Sequence, residues 1–154
     1  MPRLVVVDAS VVLKWQLDDE EYIRQATALR NDFYTLNVIK AIAPRLLVYE
    51  VINGILTATK RKRLGSDKAV EAMNNLLALG VELREVEAVR ILELALAYNL
   101  AAYDAAYLAL AEGEGCELWT GDRPFYQAVG GKLSRIKWIG DYRPFHRGST
   151  EQYS

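Results

Sequence analysis

Leu4-Val5-Val6-Val7-Asp8-Ala9-Ser10 is the stretch from which the rest of the chain is read. An unbroken apolar run rich in β-branched residues is the pattern of a short strand buried on both faces, as in a parallel sheet covered by helices. Asp8 ends the run and is the only charge between Leu4 and Leu13. An ionised carboxylate taken out of water alone is strongly unfavourable, so such groups are paired, neutralised or bound to a cation.

The same anomaly recurs along the chain. Glu50 is the only charge from Leu46 to Leu56, and Asp104 the only one from Leu100 to Ala111. Asp122 closes a tight loop after Glu117-Leu118-Trp119-Thr120-Gly121. Each acid needs a partner, and the simplest shared partner is a cation.

Around these acids, strand and helix patterns alternate. Further strands are predicted over Val38–Ala43, Val81–Val86, Glu117–Thr120 and Arg135–Ile139. A helix is predicted to open on Asp18-Asp19-Glu20-Glu21, with its acids in the first turn, and to run to about Tyr34. Pro44 suits the first turn of a long helix towards Arg63, and Ser66 can cap the next one, which ends at Gly80. Helices over Glu87–Tyr98, Ala102–Glu112 and Arg123–Val129 complete the set. The alternation predicts an α/β fold with a central, mainly parallel sheet and right-handed crossovers. Ligands of such sheets bind outside the carboxyl ends of the strands, and both Asp8 and Asp122 fall at that end.

On the long helix, Glu50, Asn53 and Thr57 share one face, with Val48, Val51, Ile52 and Ile55 as the expected core stripe. Asp104 falls in the first turn of its own helix. If those faces meet the carboxyl edge of the sheet, four carboxylates share one cleft and repel, so some take up protons. Magnesium or manganese resolves the repulsion, since hard divalent cations prefer oxygen ligands. An acid-only site with open positions suits in-line phosphoryl displacement. Ser10 and Thr120, two residues from Asp8 and Asp122, are placed to hold those carboxylates or an ordered water.

Bulk properties narrow the classes. The 154 residues fit a single domain, expected over 1–146, with a polar tail over 147–154. No apolar run reaches the ~20 residues of a membrane helix, and no leader-like segment opens the chain, so a cytoplasmic protein is expected. One cysteine (Cys116) and one histidine (His146) exclude an internal disulfide and a zinc site built mainly from Cys and His. A net charge of −1 argues against binding a polyanion with the whole surface, leaving local patches open.

Val-Val-Asp8-Ala-Ser10, Glu50 with Asn53, Tyr103-Asp104-Ala-Ala-Tyr107-Leu-Ala-Leu-Ala and Thr120-Gly-Asp122-Arg-Pro-Phe125 together resemble the PIN-domain ribonucleases, and within them the VapC-type toxins of prokaryotic toxin–antitoxin pairs. The resemblance spans about Leu4 to Gly140, with all four acids in order. It implies a three-layer α/β/α sandwich of about five strands, and Mg2+- or Mn2+-dependent cleavage of single-stranded RNA. It also implies a homodimer inhibited by a partner antitoxin. Asp8, Glu50, Asp104 and Asp122 would carry metal binding and catalysis, supported by Ser10, Asn53 and Thr120. Ala101-Ala102 departs from the family, which often has Ser or Thr just before the Tyr-Asp pair; a helix cap is in question there, not the site.

Plainer readings stand beside these. A lone Asp8 could be a helix cap, and a lone Glu50 half of an ion pair. Lys60-Arg61-Lys62-Arg63 reads as cations closing a helix rather than an RNA contact. Arg123 is kept as a substrate contact. Trp15, Trp119 and Trp138 read as core or dimer-interface residues, Tyr103 and Tyr107 as packing, and His146 as an ordinary tail residue. The competing functions are a catalytically silent PIN-like binding module and a phosphohydrolase with Asp8 as nucleophile. The second would commonly place another Asp where this chain has Ser10. A response-regulator receiver domain fits less well, lacking the usual pair of acids early in the chain.

Overall fold

In the computed structural model, which describes residues 1–144, Leu4 to Val7 lie within the central strand of a five-stranded sheet. That strand, β1 (Arg3–Val7), pairs on one side with β2 (Ile39–Pro44) and on the other with β4 (Glu117–Thr120). β3 (Glu82–Arg84) and β5 (Ile136–Trp138) form the edges, giving the order β3-β2-β1-β4-β5 with every pairing parallel. Val5, Val6 and Val7 are all buried, as the double-sided run requires. The expected tail, the boundary at 146 and His146 lie outside the described residues.

Seven α-helices flank the sheet among the described residues: α1 (Ala9–Leu13), α2 (Ile23–Arg30), α3 (Leu47–Lys60), α4 (Ser66–Leu79), α5 (Ala88–Tyr98), α6 (Ala102–Glu114) and α7 (Arg123–Val129). The architecture is the expected three-layer α/β/α sandwich. α6 packs on β1, β2 and β4 and against α5. It is buried from Ala105 to Ala111, because its Ala and Leu side chains leave no polar face to expose.

Several local readings are corrected. Asp18 to Glu21 do not open α2, whose first turn holds no acid and whose preceding residue, Tyr22, is left-handed at φ 60°. Asp19 and Glu20 instead accept hydrogen bonds from Arg63, which draws the acids into a turn. α2 passes into a π-helical turn, Asn31–Thr35. Pro44 ends β2 rather than starting α3, at a strand end where its missing N–H interrupts no central ladder. Gly65, not Ser66, holds the N-cap position of α4, and no side chain caps that helix.

The core stripe of α3 is Leu47, Val51, Ile55 and Ala58, with Ile52 exposed, so the stripe is rotated from the expected one. The cause is α1, a short helix the strand pattern did not announce. α1 lies against α3 at Gly54, where a Cβ would sit 2.4 Å from Leu13 Cδ1.

Candidate active site at the carboxyl edge of the sheet

The register of β1 against β4 builds the centre of the site. Val7 pairs with Trp119, and the Asp8 N–H donates to the Trp119 carbonyl at 3.4 Å, so Asp8 leaves the sheet beside Thr120. Asp8 then acts as N-cap of α1, its Oδ1 accepting from the Val11 N–H at 3.3 Å and from Ser10 Oγ at 2.5 Å. Ser10 Oγ in turn accepts from the Gly121 N–H at 2.7 Å, tying the two strand ends together. Thr120, fully buried, hydrogen-bonds Asp8 and accepts from the Asp122 N–H at 3.0 Å. Asp122 is the N-cap of α7, accepting from the Phe125 N–H at 3.1 Å.

Helices supply the other two acids. Glu50, half-buried on α3, accepts at Oε1 from the Tyr107 hydroxyl at 2.7 Å. Tyr107 comes from α6, one turn after Asp104, so the two project from neighbouring positions of one helix face. Tyr107 packs in the core, as expected, and its hydroxyl adds a hydrogen bond to Glu50 that the packing reading does not include. Its three-residue offset from Asp104 was the signal available. Asp104 is half-buried with no hydrogen bond to its carboxylate among the described residues.

The electrostatics show that the four acids share one neighbourhood. Burial is the largest influence on Asp8 and pushes its carboxyl from 3.8 up to about 7; hydrogen bonds from Ser10, Thr120 and Val11 oppose this, while the Asp122 charge adds to it. Asp104 is pushed up to about 6 by burial and by the charges of Asp122 and Glu50. Burial raises Glu50 as well, with Tyr107 opposing and Asp122 adding. The Tyr107 phenol is held protonated by burial and by Glu50.

The remaining expected residues divide. Ser10 and Thr120 are bound into the site. Asn53 is exposed and makes no hydrogen bond to any of the four acids, and Thr57 is exposed too. Arg123 starts α7 with its guanidinium 5.0 Å from the Trp138 ring centre and 3.9 Å from Glu21. Trp15 is core, as expected, whereas Tyr103, expected to pack, is exposed. In the Lys60–Arg63 run, Arg63 is occupied by Asp19 and Glu20.

The donor set suits a hard divalent cation. Every candidate ligand is oxygen, and among the described residues none of the four carboxylates forms an ion pair with Lys, Arg or His. Among the described residues, no three Asp, Glu, His or Cys side chains are grouped so as to hold one metal ion together. A cation held here would take one or two of the carboxylates and keep waters for its other positions.

A profile of the PIN domain family matches residues 5–130. A VapC ribonuclease of Mycobacterium bovis, Mb0985, is 36% identical over 121 residues, covering 77% of this chain and 86% of that protein. Among solved structures, PAE2754 from Pyrobaculum aerophilum superposes with a TM-score of 0.66 at 21% identity, covering 90% of this chain and 92% of the other. A toxin–antitoxin complex from Klebsiella pneumoniae contains a chain with a TM-score of 0.57 at 14% identity, with 88% and 97% covered.

Proposed function

The chain belongs to the PIN-domain family, in its VapC-type ribonuclease branch, and from that premise we propose a divalent-cation-dependent toxin endoribonuclease that cleaves single-stranded RNA. The observation that carries the reading is the group of four carboxylates at the carboxyl edge of the sheet, two of them pushed up to about 7 and about 6, with no ion pair to a cationic side chain among the described residues. Asp8, Glu50, Asp104 and Asp122 would hold Mg2+ or Mn2+. When bound, such ions supply charge neutralisation at the phosphate and a water acidified enough to attack near neutral pH.

Protein groups do the positioning. Ser10 and Thr120 fix the Asp8 carboxylate by hydrogen bonds from its own helix and from the neighbouring strand, and Tyr107 fixes Glu50. Asn53 is proposed to support the site only once substrate or cation is present, because its side chain is exposed on α3. Arg123 is proposed to meet the RNA backbone.

An antitoxin and a second copy of the chain are the proposed partners; the structural neighbour from Klebsiella pneumoniae, a toxin–antitoxin complex, supports the first. Apolar side chains exposed in a row on α5 (Val89, Leu92, Leu96) give a partner something to cover. Among the described residues no single helix is long and apolar enough to cross a membrane.

The deciding experiment is cleavage of structured and unstructured RNAs with Mg2+, with Mn2+ and with EDTA, antitoxin absent. EDTA is expected to abolish cleavage, and Asp8→Asn to reduce it by roughly a thousandfold or more. Cleavage that survives both changes would overturn the proposal.

A further inference from the structure

Lys14 is the one buried basic residue among the described residues, with 5% of its side chain exposed. It follows α1 directly and runs along the backbone of Gly121; a Cβ at Gly121 would lie 2.8 Å from Lys14 Cε. Its ammonium group borders a cavity of about 280 Å³ whose walls include Tyr22, Gly121, Arg123 and Trp138. Gly121 is also the residue between Thr120 and Asp122, so the cavity begins one peptide away from the carboxylate site.

Among the described residues this ammonium forms one long ion pair and no hydrogen bond. The nearest carboxylate oxygen, Glu20 Oε1, is 3.7 Å away, beyond hydrogen-bond reach. Glu20 is engaged through its other oxygen by Arg63 at 2.7 Å, and Asp19 accepts two hydrogen bonds from the same guanidinium. Glu21, exposed, stands 3.9 Å from Arg123. Lys14 buries its stem along Gly121 and lines the cavity, an arrangement that leaves the charge available to a molecule entering it.

The cavity therefore presents unsaturated N–H donors from Lys14 and Arg123. Of its three acids, Asp19 and Glu20 share the single charge of Arg63 and Glu21 stands near Arg123, so charges around the cavity balance and the donors of Lys14 and Arg123 can answer an anion. An anion with several oxygen acceptors answers those donors. Trp138, with Tyr22 edge-on at 5.5 Å and Arg123 over its face, makes an amphipathic wall of the kind that accommodates a nucleotide backbone.

We propose that this cavity is a phosphate subsite for the RNA strand, in which Lys14 and Arg123 hold a phosphodiester next to the one at the carboxylates. The proposal rests on the ribonuclease reading for its choice of RNA. Lys14 is a substrate-binding residue in this scheme and takes no part in proton transfer.

The test is equilibrium binding of a short fluorescein-labelled single-stranded RNA to the full chain in EDTA, where the strand stays intact. Lys14→Met is expected to weaken binding about tenfold or more and to lower the salt dependence by about one phosphate contact. Lys14→Arg should stay within about threefold of the parent, and Arg123→Gln should weaken binding about threefold or more. Inorganic phosphate at millimolar concentration should compete in the parent and not in Lys14→Met. The melting temperature of Lys14→Met should equal or exceed the parent's, whereas a structural ion pair with Glu20 would make it fall.

A folded Lys14→Met chain that binds within about twofold of the parent overturns the subsite. Should Lys14→Met fail to fold, unchanged binding by Arg123→Gln overturns it instead. RNA bound through Lys14 but cleaved under no divalent cation would defeat the ribonuclease reading and leave the subsite standing. Normal cleavage with an unchanged KM in Lys14→Met would do the reverse.

Discussion

At Asp8, three hydrogen bonds from Ser10, Thr120 and Val11 favour the charged form and burial outweighs them, leaving the carboxyl at about 7. Evidently local geometry can position a carboxylate without keeping it ionised. Tyr107 does for Glu50 what Ser10 does for Asp8, from a helix more than fifty positions further along the chain. Its hydroxyl lowers the Glu50 carboxyl against burial, so Tyr107→Phe should let that carboxyl rise. The acid limb of the cleavage profile should then move to higher pH, and kcat should fall about tenfold, the scale of one lost hydrogen bond to a charged group. A Tyr107→Phe enzyme with a lower kcat and an unmoved pH profile would show that the tyrosine only packs.

Among the elements, α3 and α1 decide whether Glu50 reaches the sheet edge. Their contact at Gly54 leaves no room for a side chain beside Leu13, and that approach turns Leu47, Val51, Ile55 and Ala58 into the core while Glu50 comes to lie near Tyr107. Gly54→Val should destabilise the protein by about 1–3 kcal/mol through overpacking. Leu13→Ala in the same chain should recover part of that loss, since the methyl groups of Leu13 are what the new side chain meets. Chemical denaturation of the four chains of this cycle measures the coupling; a Gly54→Val midpoint equal to the parent's would remove the contact from the account.

For the whole molecule, raised carboxyls become a dependence of stability on pH. Folded Asp8 and Asp104 hold protons up to about 7 and about 6, whereas their unfolded forms release them near 3.8. Between those limits the folded state binds more protons than the unfolded one, so stability falls as pH rises through the window. In EDTA the protein is expected to melt several degrees higher at about pH 5 than at about pH 7.5, with Mg2+ or Mn2+ recovering the difference at the upper pH. Asp8→Asn should flatten the slope. Calorimetry showing a melting temperature that climbs from pH 5 to 7.5 without cations would contradict the shared repulsion of the four acids.

The sequence by itself determined the sheet and the identity of the acids. A β-branched run ending in Asp8, Glu117 to Thr120 before a loop, and glycines or turns between helical stretches are local patterns, and each signals its element without help from distant residues. Three isolated carboxylates in apolar stretches, with Asp122 in the loop after Thr120, pointed to the candidate site for the same reason, because the cost of burying a carboxylate depends on its immediate surroundings. Tertiary structure alone decided which way α3 turns and that the acids of residues 18–21 answer Arg63 instead of a helix dipole. It also decided that Tyr107 serves Glu50 and that Lys14 is buried beside Gly121. Those outcomes depend on contacts between residues far apart in the chain, where steric fit and desolvation act together and no periodicity records the result.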